Sequence, residues 1–184
     1  MDFRGAHIIS VSQFKRDDIE KVFAVADSME PYANRKRITK ALDGAILGNM
    51  FFEPSTRTRF SFGCAFNLLG GHVRETTGVK ESSISKGESL YDTARVISGY
   101  SDVIVMRHPQ IGSVAEFAKA SRVPVINGGD GPNEHPSQAL FGSLYNQERT
   151  DFQEQRDRRH AYRHGGRSKT RAYRPFPLST LATI

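Results

Sequence analysis

Three short apolar runs, at residues 45–52, 102–106 and 123–127, constrain the fold of this chain more than any other feature. None of them alternates apolar with polar residues, so each predicts a strand that is covered on both faces. Segments with apolar residues at helical spacing separate the runs, and such alternation is typical of a parallel sheet. The sequence therefore predicts an α/β fold, a parallel sheet flanked by helices on both faces.

The remaining elements follow from apolar spacing. The helices are predicted over about residues 16–30, 57–69 and 88–99, around Val114, Phe117 and Ala118, and after Asn133 through about Tyr145. A short strand is expected at residues 72–75. We expect Pro31 to fall at the end of the first helix, and Cys64 to be a buried thiol because it lies among apolar helix positions. The polar loop at residues 76–88 has almost nothing to bury, which is typical of a functional or disordered segment.

The turn between the first apolar run and its helix carries a dense set of hydrogen-bond donors. Ser55, Thr56, Arg57 and Thr58 follow Pro54 directly. The start of a helix offers unpaired N–H groups and a positive dipole end, and hydroxyls and a guanidinium add donors that match phosphate oxygens. A simple helix cap with solvated arginines is the alternative. Two arginines interleaved with threonines at this turn favour a phosphate site.

Polar residues also follow the other two apolar runs, and the carboxyl ends of parallel strands meet at one edge of a sheet. Arg107 follows one run, while His135 and Gln138, three residues apart, follow the other. A guanidinium and an imidazole aimed at a carbonyl oxygen would stabilise the charge that forms on attack. Lys86 on the polar loop would add a point charge for phosphate. A structural arginine and a helix-capping histidine are the alternatives. The set contains no thiol and no acidic metal cage, and it favours acyl-phosphate transfer to an external nucleophile over hydrolysis or phosphoryl transfer.

Composition limits the cellular compartment and the partners that we expect for the chain. A single cysteine excludes an internal disulfide and fits a reducing compartment. No apolar run approaches the roughly 18 residues of a membrane span, and no signal-peptide pattern occurs, so we expect a cytoplasmic protein without membrane contact. Residues 151–184 hold 8 Lys and Arg against 3 Asp and Glu, whereas the preceding 150 residues hold 18 against 17. The net charge of +6 is therefore a property of the tail, and it does not indicate specific nucleic-acid binding.

Four motifs resemble, in order and spacing, those of the catalytic chain of aspartate carbamoyltransferase, within the aspartate and ornithine carbamoyltransferase family. They are Ser55-Thr56-Arg57-Thr58-Arg59, Lys86-Gly87-Glu88, Met106-Arg107-His108-Pro109 and His135-Pro136-Ser137-Gln138. The first motif is shared with ornithine carbamoyltransferases, whereas the third motif and the serine of the fourth are similar to the aspartate enzyme. The resemblance covers about residues 7–145.

This resemblance implies the substrate contacts. The residues that would hold the phosphate of carbamoyl phosphate are Ser55, Thr56, Arg57 and Thr58. Arg107 and His135 would polarise the carbamoyl oxygen, and Gln138 would bind the carbamoyl amide. The residues implied to be catalytic are Arg57, Thr58, Lys86, Arg107 and His135.

The resemblance also implies an assembly and a reaction. Ser82 and Lys86 would reach into the active site of a neighbouring subunit, with Ser83 or Ser85 as alternatives to Ser82. Family members have two α/β domains and form a catalytic trimer, in some cases with regulatory chains. The amine of L-aspartate attacks the carbamoyl carbon and phosphate leaves, a step of pyrimidine biosynthesis.

The resemblance ends before the tail. We expect a carbamoyl-phosphate-binding domain over residues 1–150 and a basic, disordered tail over residues 151–184 that does not resemble the second domain of the family. If one nucleotide is dropped from one permitted set of codons for residues 156–179, the translation becomes GIDGMHIAMVGDLKLGRTVHSLC, which resembles the opening strand and turn of that second domain. We therefore expect a frame shift by about residue 155, negligible transferase turnover, and a Glu53 without its interdomain partner. Sequencing the coding DNA tests this expectation, since a single-base change should restore the longer frame.

Three other functions compete with aspartate carbamoyl transfer. An ornithine carbamoyltransferase shares the first motif. A non-catalytic phosphate-binding or oligomerisation module would keep the contact surface around residues 76–88. A nucleic-acid binder would use the arginines of the tail, which bind phosphate charge without sequence preference.

Overall fold

The computed structural model describes residues 1–78 and 87–143, apart from the side chain of Thr77. The chain separates into two compact units, one formed by Met1–Ser137 and one that begins at Gln138. The expected domain boundary near residue 150 and the tail at 151–184 lie outside the described residues, as do most of the polar loop and the end of the last predicted helix. No helix within the described ranges is long and apolar enough to cross a membrane.

Strands and helices alternate along the first unit. In chain order they are α1 (Arg16–Ala33), β1 (Ile46–Phe51), α2 (Thr56–Leu68), β2 (His72–Thr77), α3 (Leu90–Ile97), β3 (Val103–His108), α4 (Ser113–Ala120) and β4 (Val125–Asp130). A short 3₁₀ helix, Val11–Gln13, precedes α1, and residues 136–143 are helical. The predicted order of elements is confirmed.

The four strands form one parallel sheet in the order β2-β1-β3-β4. In its register Phe51 of β1 lies beside Arg107 of β3, and Ile104 lies beside Val125 of β4. Ile8 adds a single parallel bridge to the free edge of β4, where its N–H donates to the Val125 carbonyl over 2.8 Å. The predicted parallel sheet is therefore confirmed.

Helices cover both faces of this sheet. On one face Leu47, Phe51 and Val105 pack against Phe62 and Phe66 of α2. The residues that form the cluster on the other face include Met50, Ile104 and Met106 of the strands, Ala94 of α3, and Val114 and Phe117 of α4. Burial on both faces explains why the central strands read as continuous apolar runs.

Three local expectations were wrong. Helix α1 continues past Pro31 to Ala33. Pro31 has no N–H and so removes one helical hydrogen bond, but the Asn34 N–H still donates to the Glu30 carbonyl over 2.9 Å. Strand β4 extends through Gly128 and Gly129 to Asp130, which pairs with His108 after an irregularity in β3. Cys64 is only partly buried, because the apolar side of α2 that faces the sheet is centred on Phe62 and Phe66.

Candidate functional site

The phosphate turn forms the first turn of α2. Ser55 is the N-cap residue, and its side chain makes no cap hydrogen bond. The Arg59 N–H donates to the Ser55 carbonyl over 3.1 Å and starts the helical hydrogen bonding, so the N–H groups of Thr56, Arg57 and Thr58 precede the first intrahelical donor. Within the described ranges, no hydrogen bond occupies the side chains of these three residues or of Ser55. The turn thus presents several donors at the positive end of a helix dipole.

The second arginine of the motif has a structural position. Arg59 is partly buried, and its Nε lies 3.8 Å from a carboxylate oxygen of Glu75 on β2. Beneath it, the fully buried amide of Asn49 donates to the Arg59 carbonyl over 3.1 Å and to the other Glu75 oxygen over 2.9 Å. Asn49 therefore ties the start of α2 to the centre of the sheet.

Arg107 is held by a carboxylate and by the end of β4. Its Nε donates to Oε1 of Glu53 over 2.6 Å, Nη2 pairs with the same oxygen, and Nη1 donates to the Gly128 carbonyl over 3.2 Å. Its guanidinium lies against Gly129, where φ is +134° and a Cβ atom would be 2.6 Å from Nη1. Only glycine allows this approach, because both the backbone angle and the space exclude a side chain.

His135 lies half-buried in the turn after β4, close enough to Arg107 for the charge of the guanidinium to act on its imidazole. Burial, and then the positive charge of Arg107, lower the pKa of the His135 imidazole below 6.5, so the ring is neutral at neutral pH. Nδ1 and the Ser137 hydroxyl oxygen are 3.2 Å apart. When the hydroxyl donates to Nδ1, Nε2 carries the proton and can donate to a ligand.

The carboxyl edge of the sheet collects most of the predicted residues. It carries Arg107 near the end of β3 and His135 in the turn after β4, and the turn at 55–58 begins two residues after Glu53. Gln138 opens the second unit, where it is exposed, and its place relative to this edge is not described. Ser82, Ser83, Ser85 and Lys86 lie outside the described residues.

Two contacts of this edge were not predicted from the sequence. Glu53 binds Arg107 within the domain, because the register of β1 and β3 brings the two strand ends together, whereas only its interdomain partner was considered from the sequence. Gly129 lies beyond residue 127, where the predicted strand ends, and had no predicted role. The signals that could have found them are an acidic residue just before the phosphate turn and a Gly-Gly pair after an apolar run.

The chemistry of this edge is cationic and rich in donors. In the part of the chain that the structure describes, no group of three His, Cys, Asp or Glu side chains is placed to hold a metal ion. A helix start, a guanidinium and a neutral imidazole suit an anion that also carries a carbonyl group.

Comparisons with known proteins agree with this chemistry. Residues 6–148 match the family model of the aspartate/ornithine carbamoyltransferase, carbamoyl-P binding domain. The aspartate carbamoyltransferase catalytic subunit of Saccharophagus degradans is 80% identical over 141 residues, which are 77% of this chain and 42% of that protein. The corresponding subunit of Cellvibrio japonicus is 76% identical over the same shares of the two chains. The chain spans about two fifths of the length of these relatives.

Solved structures show the same fold. Aspartate transcarbamoylase from Trypanosoma cruzi, in complex with carbamoyl aspartate and phosphate, superposes with a TM-score of 0.71 at 41% identity, over 76% of this chain and 43% of that one. The catalytic subunit from M. jannaschii gives a TM-score of 0.71 at 46% identity, over 78% and 46%. Because the family model matches more than half of its residues, the chain belongs to the aspartate/ornithine carbamoyltransferase family, through the carbamoyl-P binding domain.

Proposed function

We propose that this domain binds carbamoyl phosphate at the carboxyl edge of its sheet, for transfer of the carbamoyl group to L-aspartate in the whole protein. The observation that carries the proposal is that the start of α2, Arg107 and His135 all lie at the carboxyl edge of the sheet, with Arg107 bound to Glu53 two residues before the turn. The family match supports carbamoyl phosphate, and the names of the relatives favour aspartate over ornithine as the acceptor.

The phosphate group lies at the start of α2. The N–H groups of Thr56, Arg57 and Thr58 and the neighbouring hydroxyls donate to its oxygens, and Arg57 adds a bidentate contact. The exposure of Arg57 supports this role, since its side chain has no competing partner within the described ranges. Lys86, from outside those ranges, adds a second positive charge.

The carbamoyl oxygen lies between Arg107 and His135. The acceptor amine forms a C–N bond at the carbamoyl carbon, and the electron pair of the C=O bond moves onto oxygen, where the two side chains stabilise it. The pair returns as the bond to the phosphate oxygen breaks, and the departing phosphate accepts the proton that the amine loses. Gln138 binds the carbamoyl amide. No metal or organic cofactor takes part.

We also propose the assembly that the family resemblance implies. The domain extends to about residue 150, in line with the end of the family match at residue 148. It forms a homotrimer in which Ser82 and Lys86 complete a neighbouring site, and regulatory chains join it in some assemblies. The molar mass in solution, measured by light scattering, tests the trimer, and a monomer at micromolar concentration would refute it.

A matched pair of arginine variants tests the site. Arg57→Ala should weaken carbamoyl phosphate binding by about 10- to 100-fold, the loss of one or two charge-assisted hydrogen bonds. Arg122→Ala removes an exposed arginine just before β4, at the opposite edge of the sheet, and should leave affinity unchanged. Calorimetric titration in the cold measures both. Equal losses in the two variants would mean that binding reflects net charge and not the turn.

The acceptor needs a separate assay. Carbamoylated product is measured with aspartate or ornithine, using a chain that extends over the full length of the relatives. Product from ornithine alone would overturn the choice of aspartate.

A further inference from the structure

The chain segment before α1 contacts the loop that carries His135. This N-terminal segment, residues 7–11, runs along the free edge of β4. The Asn127 N–H donates to the Ile8 carbonyl, and the buried Asn127 amide donates to the Ile9 carbonyl, both over 2.8 Å. The Val125 N–H donates to Nδ1 of His7 over 3.1 Å. The segment is therefore fixed to the sheet along its length.

Glu134 receives the end of this segment. One carboxylate oxygen accepts from the Ser10 hydroxyl and the other from the Val11 N–H, each over 2.8 Å. Val11 begins the 3₁₀ helix, so its N–H is a helix-start donor that the carboxylate satisfies. Both carboxylate oxygens are thus bound by residues more than 120 positions away in the sequence.

The backbone of Glu134 is fixed as well. Its carbonyl accepts from the Asp130 N–H over 3.0 Å, which closes the turn after β4. His135 follows directly, and one peptide bond allows little freedom once the preceding residue is held through both its side chain and its backbone. Glu134 can therefore restrict the position of His135 without contacting the ligand itself.

We propose that Glu134 is a positioning residue, which fixes His135 by anchoring its loop to the N-terminal segment. Residues 7–11 then support the ligand site from outside it. The expected effect on ligand affinity rests on the proposed function. The expected effect on the position of the His135 imidazole is independent of it.

The first test needs no ligand. The ring signal of His135 is recorded by NMR at pH 7.5 in the complete chain and assigned by its loss in His135→Gln. Glu134→Ala and Ser10→Ala should both shift this signal, and Glu134→Gln, which keeps an acceptor for the Val11 N–H, should shift it less. Glu20→Gln removes an exposed glutamate of α1 that pairs with Arg16, and it should leave the signal in place.

The second test uses carbamoyl phosphate itself. Glu134→Ala should raise its Kd by about three- to tenfold, whereas Glu20→Gln should change it by less than about twofold. An unchanged His135 signal in both Glu134→Ala and Ser10→Ala overturns the inference, whatever the affinities are. If the unsubstituted chain does not bind carbamoyl phosphate, the proposed function fails while the ring signal still decides the positioning role. If Glu134→Ala does not fold, the milder Ser10→Ala variant decides alone.

Discussion

Replacing Glu53 by glutamine should tighten carbamoyl phosphate binding while it destabilises the fold. Nε and Nη2 of Arg107 both bind Glu53 Oε1, so much of the guanidinium is already committed to a carboxylate. A ligand oxygen that needs the same donors competes with that carboxylate. The neutral amide of Glu53→Gln keeps one acceptor but removes the competing charge.

The two magnitudes follow from the burial of the pair. Two unit charges about 4 Å apart interact by about 4 kcal/mol at an effective dielectric constant of about 20. Both side chains are about one fifth exposed, so solvent screening and the remaining amide contact reduce the net loss of stability to about 1–2 kcal/mol. That loss corresponds to a fall in Tm of about 2–8 °C. Freeing the guanidinium should strengthen binding by about 1 kcal/mol, or about fivefold in Kd.

Calorimetric titration and thermal unfolding measure the two effects on the same samples. Glu20→Gln is the control, because it exchanges an exposed glutamate on α1. If Glu53→Gln weakens carbamoyl phosphate binding, Glu53 orients Arg107 for the ligand and the competition reasoning is wrong.

Three further predictions concern the same edge and its support. Gly129→Ala should cost about 2–4 kcal/mol, because φ is +134° and the new Cβ would lie 2.6 Å from Arg107 Nη1, and it should also weaken carbamoyl phosphate binding. Gly142→Ala, where no residue that the structure describes lies within 4 Å of the added Cβ, is the control for thermal unfolding, and equal Tm values for the two variants would contradict the packing. Asn49→Leu should lower stability by about 1–3 kcal/mol and weaken phosphate binding, because the Arg59 carbonyl and Glu75 lose their shared donor, whereas Asn67→Leu on the exposed side of α2 should do neither. Burial lowers the pKa of His108, whose Nδ1 accepts from the Gln110 N–H, and burial and then Arg107 lower the pKa of His135. Both imidazoles therefore bind a proton more weakly in the folded protein than in the unfolded one. The stability that this difference contributes is fully present above pH 6.5 and is lost as the pH falls below that value. Thermal unfolding between pH 8 and pH 5 checks this, and His108→Asn should flatten the profile; a Tm that rises on acidification would have the wrong sign.

The central strands were predictable because they are buried on both faces. Residues 45–52 and 102–106 are apolar without alternation, and only such a run fills a sheet that helices cover on both sides. The edge strand β2 extends two residues beyond its predicted end, since Thr76 and Thr77 carry no apolar signal and pair through the backbone with β1. Gly128 and Gly129 fall in β4 at the irregularity between two pairs, Met106 with Asn127 and His108 with Asp130, and an apolar pattern does not indicate such a position.

The sequence indicates the residues of the candidate site but not the contacts that hold them. Hydroxyls and arginines at a strand-to-helix turn indicate an anion because the backbone donors of a helix start are local. The pairing of Glu53 with Arg107, 54 residues apart, depends on which strands are neighbours and in what register. The bond from Ser10 to Glu134 likewise depends on where the N-terminal segment lies beside β4. Such contacts are properties of the folded sheet and leave no local pattern.

The most direct measurement of the central claim is a titration of the ¹⁵N-labelled chain with carbamoyl phosphate, followed amide by amide by NMR. The account predicts that the largest saturable shifts fall on the amides of Thr56, Arg57 and Thr58, with smaller shifts from Gly128 to His135. Shifts confined to other residues, such as the arginine-rich stretch after residue 155, would contradict it.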